Sequence, residues 1–353
     1  MAIGGLNPGT VEWPGMDVDP RTTAAGFLGA AVALGVLAYL VGVRELVFAL
    51  SLARPDAVAS VVAAAALWMI AWALALRAIL AALDASISPW RATAVYAGVL
   101  FANNVTPFGQ AGGEPVSALL IAESARTEYE TALAAIASAD SLNFLPSTAI
   151  GLLGVAYLSV TVAVGDRLQV ARAAVLALAL AFPVVGYLAW RARDRLEAVL
   201  VGALAPVARI VGRTLPRVEA PARDAVAARV DGFFRALEVV GGNRRTLLVA
   251  VGFSTLGWLA QAAALWLALF AVGVVAPVAA VLVAVPVGAI AGVTPLPGGL
   301  GGIEAVLIAL LVPLAGVTAA TAAAAVLVHR GAIYWLPTLF GGGVVAALGA
   351  DRV

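Results

Sequence analysis

The sequence contains no cysteine, no lysine and a single histidine, His329. The absence of cysteine excludes thiolate chemistry and disulfides, and one histidine argues against a multi-histidine metal site. The sequence also lacks a phosphate-binding Gly-Lys-Ser/Thr loop, a Gly-x-Ser-x-Gly elbow and a His-Glu-x-x-His motif. Those motifs mark ATP-driven proteins and common hydrolases. We therefore expect no metal, no cofactor and no enzymatic activity.

Charged residues are also scarce. They make up 12% of the 353 residues, whereas hydrophobic residues make up 63%. Soluble domains have about 25% charged and about 45–50% apolar residues. Long stretches, such as residues 246–303, carry no charge at all. Since about 20 apolar residues cross a bilayer as a helix, the composition predicts an all-α, polytopic membrane protein.

The hydrophobic segments divide into six full spans and two broken ones. The broken segments cover residues 92–123 and 278–311. Each of their halves has only about 11–15 residues, which suits a re-entrant segment better than a span. The full spans are predicted at residues 22–43, 57–82, 131–164, 170–190, 246–271 and 318–348.

The two breaks carry similar motifs. Val105–Glu114 reads VTPFGQAGGE, and Val293–Glu304 reads VTPLPGGLGGIE. Proline stops a helix, and glycine lets the backbone approach a ligand closely. Broken helices at matching places in two halves of a membrane protein indicate an inverted repeat with a binding site near the membrane midplane.

The distribution of arginine predicts the orientation. Residues 191–245 hold eleven of the 21 arginines and only six acidic residues, which places this loop in the cytoplasm. Six spans then put both termini inside, and the two hairpins enter the membrane from opposite faces. We expect a multi-pass protein of the cell membrane. The loop 44–56, with Arg44 and Arg54, falls outside in this topology.

The domain organisation follows from these segments. Residues 1–21 form a polar tail, residues 22–190 the first membrane repeat and residues 246–353 the second. The intervening loop 191–245 contains an amphipathic helix at 221–240. This helix lies either on the inner leaflet or against the cytoplasmic face of the protein.

Ionisable side chains inside a membrane are costly and need a reason. Glu114 and Glu304 end the two motifs, where each either contributes to a ligand site or caps the helix that follows. Arg330 faces Glu304 in a buried pair or binds an anionic ligand. Arg77 snorkels to the interface, pairs with Glu114 or binds a headgroup phosphate. Asp140 lies among small residues, where close helix packing is expected.

The two motifs, together with Asp140 and Arg330, resemble the lysylphosphatidylglycerol synthase transmembrane-region family. The residues that carry the resemblance read NVTPFGQAGGEP over Asn104–Pro115 and PLPGGLGGIEA over Pro295–Ala305. We expect no synthase domain in this chain. The resemblance implies a role in moving lipid headgroups between leaflets. It also implies membrane lipids with an anionic headgroup as partners, and a separate synthase or glycosyltransferase. No nucleic acid is expected.

Four functions fit the sequence to different degrees. We favour a flippase-like translocase that moves an anionic lipid through a polar groove at the breaks. A secondary transporter of a small solute or ion is the alternative, followed by an enzyme acting on a lipid phosphate and a structural membrane subunit. The predicted substrate-binding and translocation residues are Arg77, Asn104, Thr106, Pro107, Gly112, Gly113, Glu114, Asp140, Thr294, Pro295, Pro297, Gly298, Gly299, Glu304 and Arg330.

Overall fold

A computed structural model describes residues 20–106, 110–161, 223–294 and 296–350, with isolated positions between 184 and 202. Helices account for nearly all of the described chain, and no strand occurs in it. The prediction of an all-α polytopic protein is confirmed. The helices are α1 (Pro20–Val41), α2 (Val43–Ser51), α3 (Pro55–Ala82), α4 (Pro89–Val105), α5 (Gln110–Ala125), α6 (Tyr129–Thr161), α7 (Arg223–Gly242), α8 (Arg244–Ala271), α9 (Val278–Ile290), α10 (Gly302–Ala315), α11 (Ala319–Arg330) and α12 (Leu336–Ala350).

Local sequence sets where several of these helices begin. Pro55 and Pro89 occupy the first turns of α3 and α4, where a missing N–H costs nothing. The Asn243 side chain accepts a hydrogen bond from the Thr246 amide at 3.1 Å at the start of α8. Thr318 caps α11 in the same way through the amide of Thr321. Such caps satisfy the free amides of a helix N-terminus.

Five stretches of the described chain are long and apolar enough to cross a membrane: Pro55–Ala82, Tyr129–Leu158, Arg244–Ala271, Pro297–Ala315 and Ala319–Ala347. Four of them agree with predicted spans. The stretch that begins at Pro297 was expected to be too short, but it reaches 19 residues because a 3₁₀ turn precedes α10. The predicted span 170–190 falls almost wholly outside the described residues, as does the polar tail 1–21.

The prediction of a loop over residues 44–56 is wrong. Most of this segment is helical, because α2 follows α1 after a bend of 90°. Gly42 makes the bend with a φ of 97°, a conformation that favours glycine. In α2 the side chains of Leu46 and Ala49 are buried. Because the segment carries charged residues, its short amphipathic helix was predicted as a loop.

The two halves of the chain repeat the same helix order. Pro55 and Arg244, which begin α3 and α8, are 189 residues apart. Tyr129 and Ala319, which begin α6 and α11, are 190 residues apart. The helices α3 and α8 run antiparallel, since the Arg54 amide donates to the carbonyl of Ala271 at 3.0 Å. Opposite directions of equivalent helices are what an inverted repeat requires.

Each broken segment folds back on itself as a hairpin. In the first hairpin, α4 and α5, a Cβ added to Gly98 would lie 3.4 Å from Leu120. In the second hairpin, α9 and α10, a Cβ added to Gly288 would overlap Leu307, while Gly292 lies beside Ile303. In the second hairpin the contact moves from Gly288–Leu307 to Gly292–Ile303, so the two arms are antiparallel. The arms of the first hairpin have 17 and 16 residues, longer than expected, and those of the second have 13 and 14.

Each hairpin is held by a helix of the other repeat. The backbone of Gly341, in α12, lies against the backbone of Ala97, in the first hairpin. Gly154, in the second half of α6, lies against Val283, in the second hairpin. Glycine permits both close approaches because it has no Cβ. This exchange ties the two repeats together and fixes the hairpins relative to each other.

The amphipathic segment forms α7, which packs against α6 and α8. Val230, Ala236 and Val240 are buried on its inner side. The helix therefore contacts the protein, as the second of the two predicted arrangements requires. α7 precedes α8 as α2 precedes α3, and α2 packs on α11 as α7 packs on α6.

Candidate functional site

The breaks of the two hairpins meet. Asn104, in the last turn of α4, approaches the 3₁₀ turn Pro297–Gly299 of the second hairpin, where a Cβ on Gly298 would lie 3.1 Å from its Oδ1. The ring of Tyr334 also lies against Gly298. We call the cluster of Asn104, Gly298, Glu304, Arg330 and Tyr334 the junction.

The second break is built by glycine. Gly298, Gly299 and Gly301 have φ values of 55°, 66° and 85°, so the chain cannot continue as a helix. A Cβ on Gly299 would lie 2.8 Å from the Cα of Gly292. Two features therefore require glycine here, the left-handed conformation and the close backbone contact.

Glu304 is held from two sides. Its Oε2 accepts a hydrogen bond from the Gly301 amide at 2.6 Å, which caps α10, and its Oε1 accepts one from Arg330 Nε at 2.8 Å. The side chain of Glu304 is 2% exposed and that of Arg330 is 10% exposed. A buried charge needs such a partner, because removing it from water is costly. The sequence had left open a cap, a pair and a ligand group. The first two occur together.

Arg330 connects this pair to the rest of the junction. Its second guanidinium nitrogen donates to the carbonyl of Gly298 at 3.0 Å. Its guanidinium carbon lies 5.3 Å from the centre of the Tyr334 ring, within the range of a cation–π interaction. The only arginine of the final span therefore reaches the turn of the second hairpin.

Tyr334 and Thr338 are residues that the sequence analysis missed. The Tyr334 hydroxyl donates to the carbonyl of Asn104 at 3.0 Å, and Asn104 Nδ2 donates to Thr338 Oγ1 at 2.8 Å. A signal was present, because Tyr334 and Thr338 follow Arg330 at intervals of four residues, so the three share one face of a helix. A π-helical turn, Gly331–Trp335, links α11 to α12 at this point.

The first break differs in charge from the second. Glu114 is half-buried, and within the described residues no hydrogen bond or ion pair engages its carboxylate. Asp140 lies eleven residues after the start of α6, as Arg330 does after the start of α11. The repeat therefore places an acidic residue where its second copy has a basic one. Asp140 lies within electrostatic reach of the buried Tyr96.

Tight packing at the first break involves Gly113. A Cβ at this position would lie 2.8 Å from the backbone of Asn103, so glycine lets the two arms of the first hairpin touch. The Thr106 hydroxyl donates to the carbonyl of Ala102 at 2.6 Å, at the end of α4. Pro107 lies outside the described residues, and the surroundings of Gly112 are likewise not described.

Two further predicted residues stand apart from the ion pair. Arg77 donates from Nε to the carbonyl of Ile87 at 2.8 Å, which ties the end of α3 to the loop before α4. Among the described side chains it makes no ion pair with Glu114. Thr294 lies beside Gly302 with a buried hydroxyl, and Pro295 is outside the described residues.

A cavity of about 310 Å³ lies beside the junction. We call it the α1 pocket, because four residues of α1 form one of its walls. Leu46 of α2, Ile308 of α10 and Val326 of α11 contribute to the others. Glu304 is the one polar residue among the lining groups. The junction thus combines a paired charge with an adjoining apolar space.

The sequence is similar to known membrane proteins over most of its length. A family model described as Lysylphosphatidylglycerol synthase TM region matches residues 26–341. A UPF0104 membrane protein of Methanothermobacter thermautotrophicus is 27% identical over 339 residues, which cover 93% of each chain. A second UPF0104 membrane protein of that organism is 24% identical over 251 residues, 70% of this chain and 72% of its own. The family match includes both hairpins and the junction, and the chain belongs to the lysylphosphatidylglycerol synthase transmembrane-region family.

Proposed function

We propose that this protein is a translocase that moves a lipid with an anionic headgroup between the two leaflets of a membrane. The observation that carries the proposal is the junction, where two Gly/Pro breaks from opposite halves of an inverted repeat meet around Arg330. Broken helices at equivalent places in inverted repeats are typical binding sites of transporters.

The physical argument rests on the cost of polar groups in a membrane. An arginine, a glutamate, an asparagine and a tyrosine hydroxyl are clustered in a domain that elsewhere buries mostly apolar side chains. Intramembrane ionisable residues are expensive and usually mark a pathway. A headgroup phosphate would bind Arg330 by sharing its guanidinium with Glu304, since arginine donates several hydrogen bonds in a fork.

A lipid fits the surroundings of the junction better than a small polar solute does. The α1 pocket, which adjoins Glu304, is lined by aliphatic side chains and glycine apart from that residue. A polar solute gains little from such walls. A lipid would place its headgroup at the junction and leave its chains in hydrocarbon.

The proposal includes the topology expected from the sequence. The protein lies in the plasma membrane with both termini in the cytoplasm, and the arginine-rich segment 191–245 faces the inner leaflet. An ion or proton gradient supplies the driving force through the acidic residues of the first repeat, and a separate synthase or glycosyltransferase supplies or uses the lipid. The protein itself carries out no covalent chemistry.

The test is a leaflet-exchange measurement in reconstituted vesicles. Phosphatidylcholine vesicles contain a trace of phosphatidylglycerol with a fluorophore on one acyl chain. A membrane-impermeant reductant then quenches the fluorophores that are in the outer leaflet. Wild-type protein under an imposed proton gradient should expose label that stays protected in protein-free vesicles. The variant Glu304→Gln/Arg330→Gln, which removes both charges together, should lose most of this exchange.

The control is Arg54→Gln, which removes a surface arginine whose side chain is 55% exposed. It should exchange lipid like the wild type. No exchange of any anionic lipid by folded wild-type protein would contradict the proposal and favour transport of a solute. Exchange that survives in the double variant would show that the pathway lies away from the junction.

A further inference from the structure

We propose that the α1 pocket binds one hydrocarbon chain of a membrane phospholipid and thereby holds the lipid beside the Glu304–Arg330 pair. This inference rests on the proposed function, because it names how that lipid is held. It concerns a different surface from the polar groups of the junction, and it is tested by a different readout.

The composition of the walls identifies the chemistry of the occupant. Leucine, isoleucine, valine, alanine and glycine line the pocket on every side except at Glu304. An apolar cavity of this kind stays dry and accepts apolar ligands. Its volume of about 310 Å³ is at the lower end of the range for small-molecule sites.

The position of the pocket identifies the source of that ligand. Val32 and Tyr39 of α1 are 59% and 79% exposed, so this apolar face of the helix meets the bilayer. Leu34 and Ala38, on the other side of the same helix, line the pocket. A single helix therefore separates the pocket from the hydrocarbon of the membrane, which is made of phospholipid chains.

The contacts of α1 show where a chain could enter. Gly26 and Gly29 pack closely against Pro297 and Leu296 of the second hairpin, so the first half of α1 is fixed. Further along, Gly35 lines the pocket but is exposed, and a Cβ added there would meet no atom within 4 Å. Gly35 therefore marks the edge of the pocket that faces the bilayer, and the bend at Gly42 closes the far end with α2.

The pocket ends at the charged pair. Glu304 lines it and accepts a hydrogen bond from Arg330 at 2.8 Å. A chain in the pocket would therefore place the polar end of its lipid at the junction. This arrangement gives the lipid two points of attachment, and it makes the chain as well as the headgroup a determinant of binding.

Photolabelling tests the pocket directly. The full-length protein is reconstituted with phosphatidylglycerol that carries a diazirine near the end of one chain, then irradiated and mapped by mass spectrometry. We expect labelled peptides to include Leu46, Ile308 or Val326, on three different walls of the pocket. Labels confined to outward residues of α1, such as Val32 and Tyr39, would overturn the proposal.

Filling the pocket gives a second test. Ala38→Phe should reduce labelling of Ile308 and Val326 at least threefold, and Ala38→Leu should act in the same direction. The control is Gly252→Phe, at an exposed glycine of α8 that has no atom within 4 Å of an added Cβ. Unchanged labelling in both folded pocket variants would refute the proposal.

The two readouts separate this proposal from the proposed function. Pocket labelling that Ala38→Phe reduces supports the chain site, even if wild-type protein exchanges no lipid. In that case the site stands and the translocase proposal fails. Lipid exchange without any pocket labelling would support the translocase proposal and refute the chain site.

Discussion

Asn104 and Tyr334 form hydrogen bonds with each other in both directions. The Tyr334 hydroxyl donates to the Asn104 carbonyl at 3.0 Å, and Asn104 Nδ2 donates to the Tyr334 carbonyl at 3.2 Å. These residues are 230 positions apart in the sequence and belong to different repeats. The bonds satisfy the carbonyl of Asn104 at the first break and that of Tyr334 in the π-helical turn, and they attach the first hairpin to the final span.

Tyr334→Phe should destabilise the protein by about 1–3 kcal/mol, because it leaves the partly buried Asn104 carbonyl without its donor. Tyr39→Phe is the control, since Tyr39 is 79% exposed. The measurement is reversible unfolding of the purified protein in mixed detergent micelles. Equal stabilities of the two variants would mean that the reciprocal bonds contribute nothing.

The pair Glu304–Arg330 should show strong coupling. Glu304→Gln alone should cost about 3–5 kcal/mol, because it leaves the arginine charge buried without its partner. The double variant Glu304→Gln/Arg330→Gln should regain part of that loss. A double-mutant cycle in the same unfolding assay measures the coupling, and additive single effects would contradict it.

Glu114 should behave differently from Glu304. Among the described residues no hydrogen bond or ion pair holds its carboxylate, so Glu114→Gln should leave the unfolding midpoint unchanged. In the proposed mechanism the same variant should slow lipid exchange, because it removes an acidic group of the first break. A midpoint lowered as far as that of Glu304→Gln would show that the two carboxylates have the same structural role.

Close packing of α12 on the first hairpin should depend on one glycine. Gly341→Leu should destabilise by about 1–3 kcal/mol or more, because the side chain would meet the backbone of Ala97, and overpacking forces the backbone to move. Gly343→Leu provides the control on the same helix, since an added Cβ there meets no atom within 4 Å. Similar midpoints for the two variants would contradict the packing.

The contact between α3 and α8 gives a parallel prediction. The indole of Trp72 lies directly over Gly257 and donates to the Ser254 carbonyl at 3.3 Å. Gly257→Ala should therefore destabilise, whereas Gly252→Ala should not. Adding Trp72→Phe to Gly257→Ala should recover stability, because the smaller ring leaves room for the methyl group. No recovery would show that the clash arises elsewhere.

Several features could be predicted because they depend on local chemistry. Apolar stretches such as Pro55–Ala82 and Arg244–Ala271 indicate spans wherever they occur. The glycines and prolines after Val293 stop a helix whatever surrounds them. The similarity of the two motifs was enough to predict a repeat, and the match of residues 26–341 to one family model confirms the resemblance.

The loop 44–56 was predicted wrongly because its local sequence signal is weak. Arg44 and Arg54 suggested an exposed connection, but Leu46 and Ala49 supply a buried face to α2. A helix of nine residues carries too weak a periodic signal to outweigh its charges. The position of Gly42 alone does not reveal a bend of 90°, since glycine also occurs within spans.

The sequence by itself determined the membrane class, most of the spans and the two breaks, since each follows from the hydropathy and backbone preferences of neighbouring residues. Only the tertiary structure decided that Arg330 contacts both Glu304 and Gly298, and that Tyr334 binds Asn104. Those contacts depend on how α4, α10 and α11 are rotated and packed, which is set by close approaches such as Gly341 on Ala97. Such approaches join residues far apart in the chain, and no local pattern encodes them.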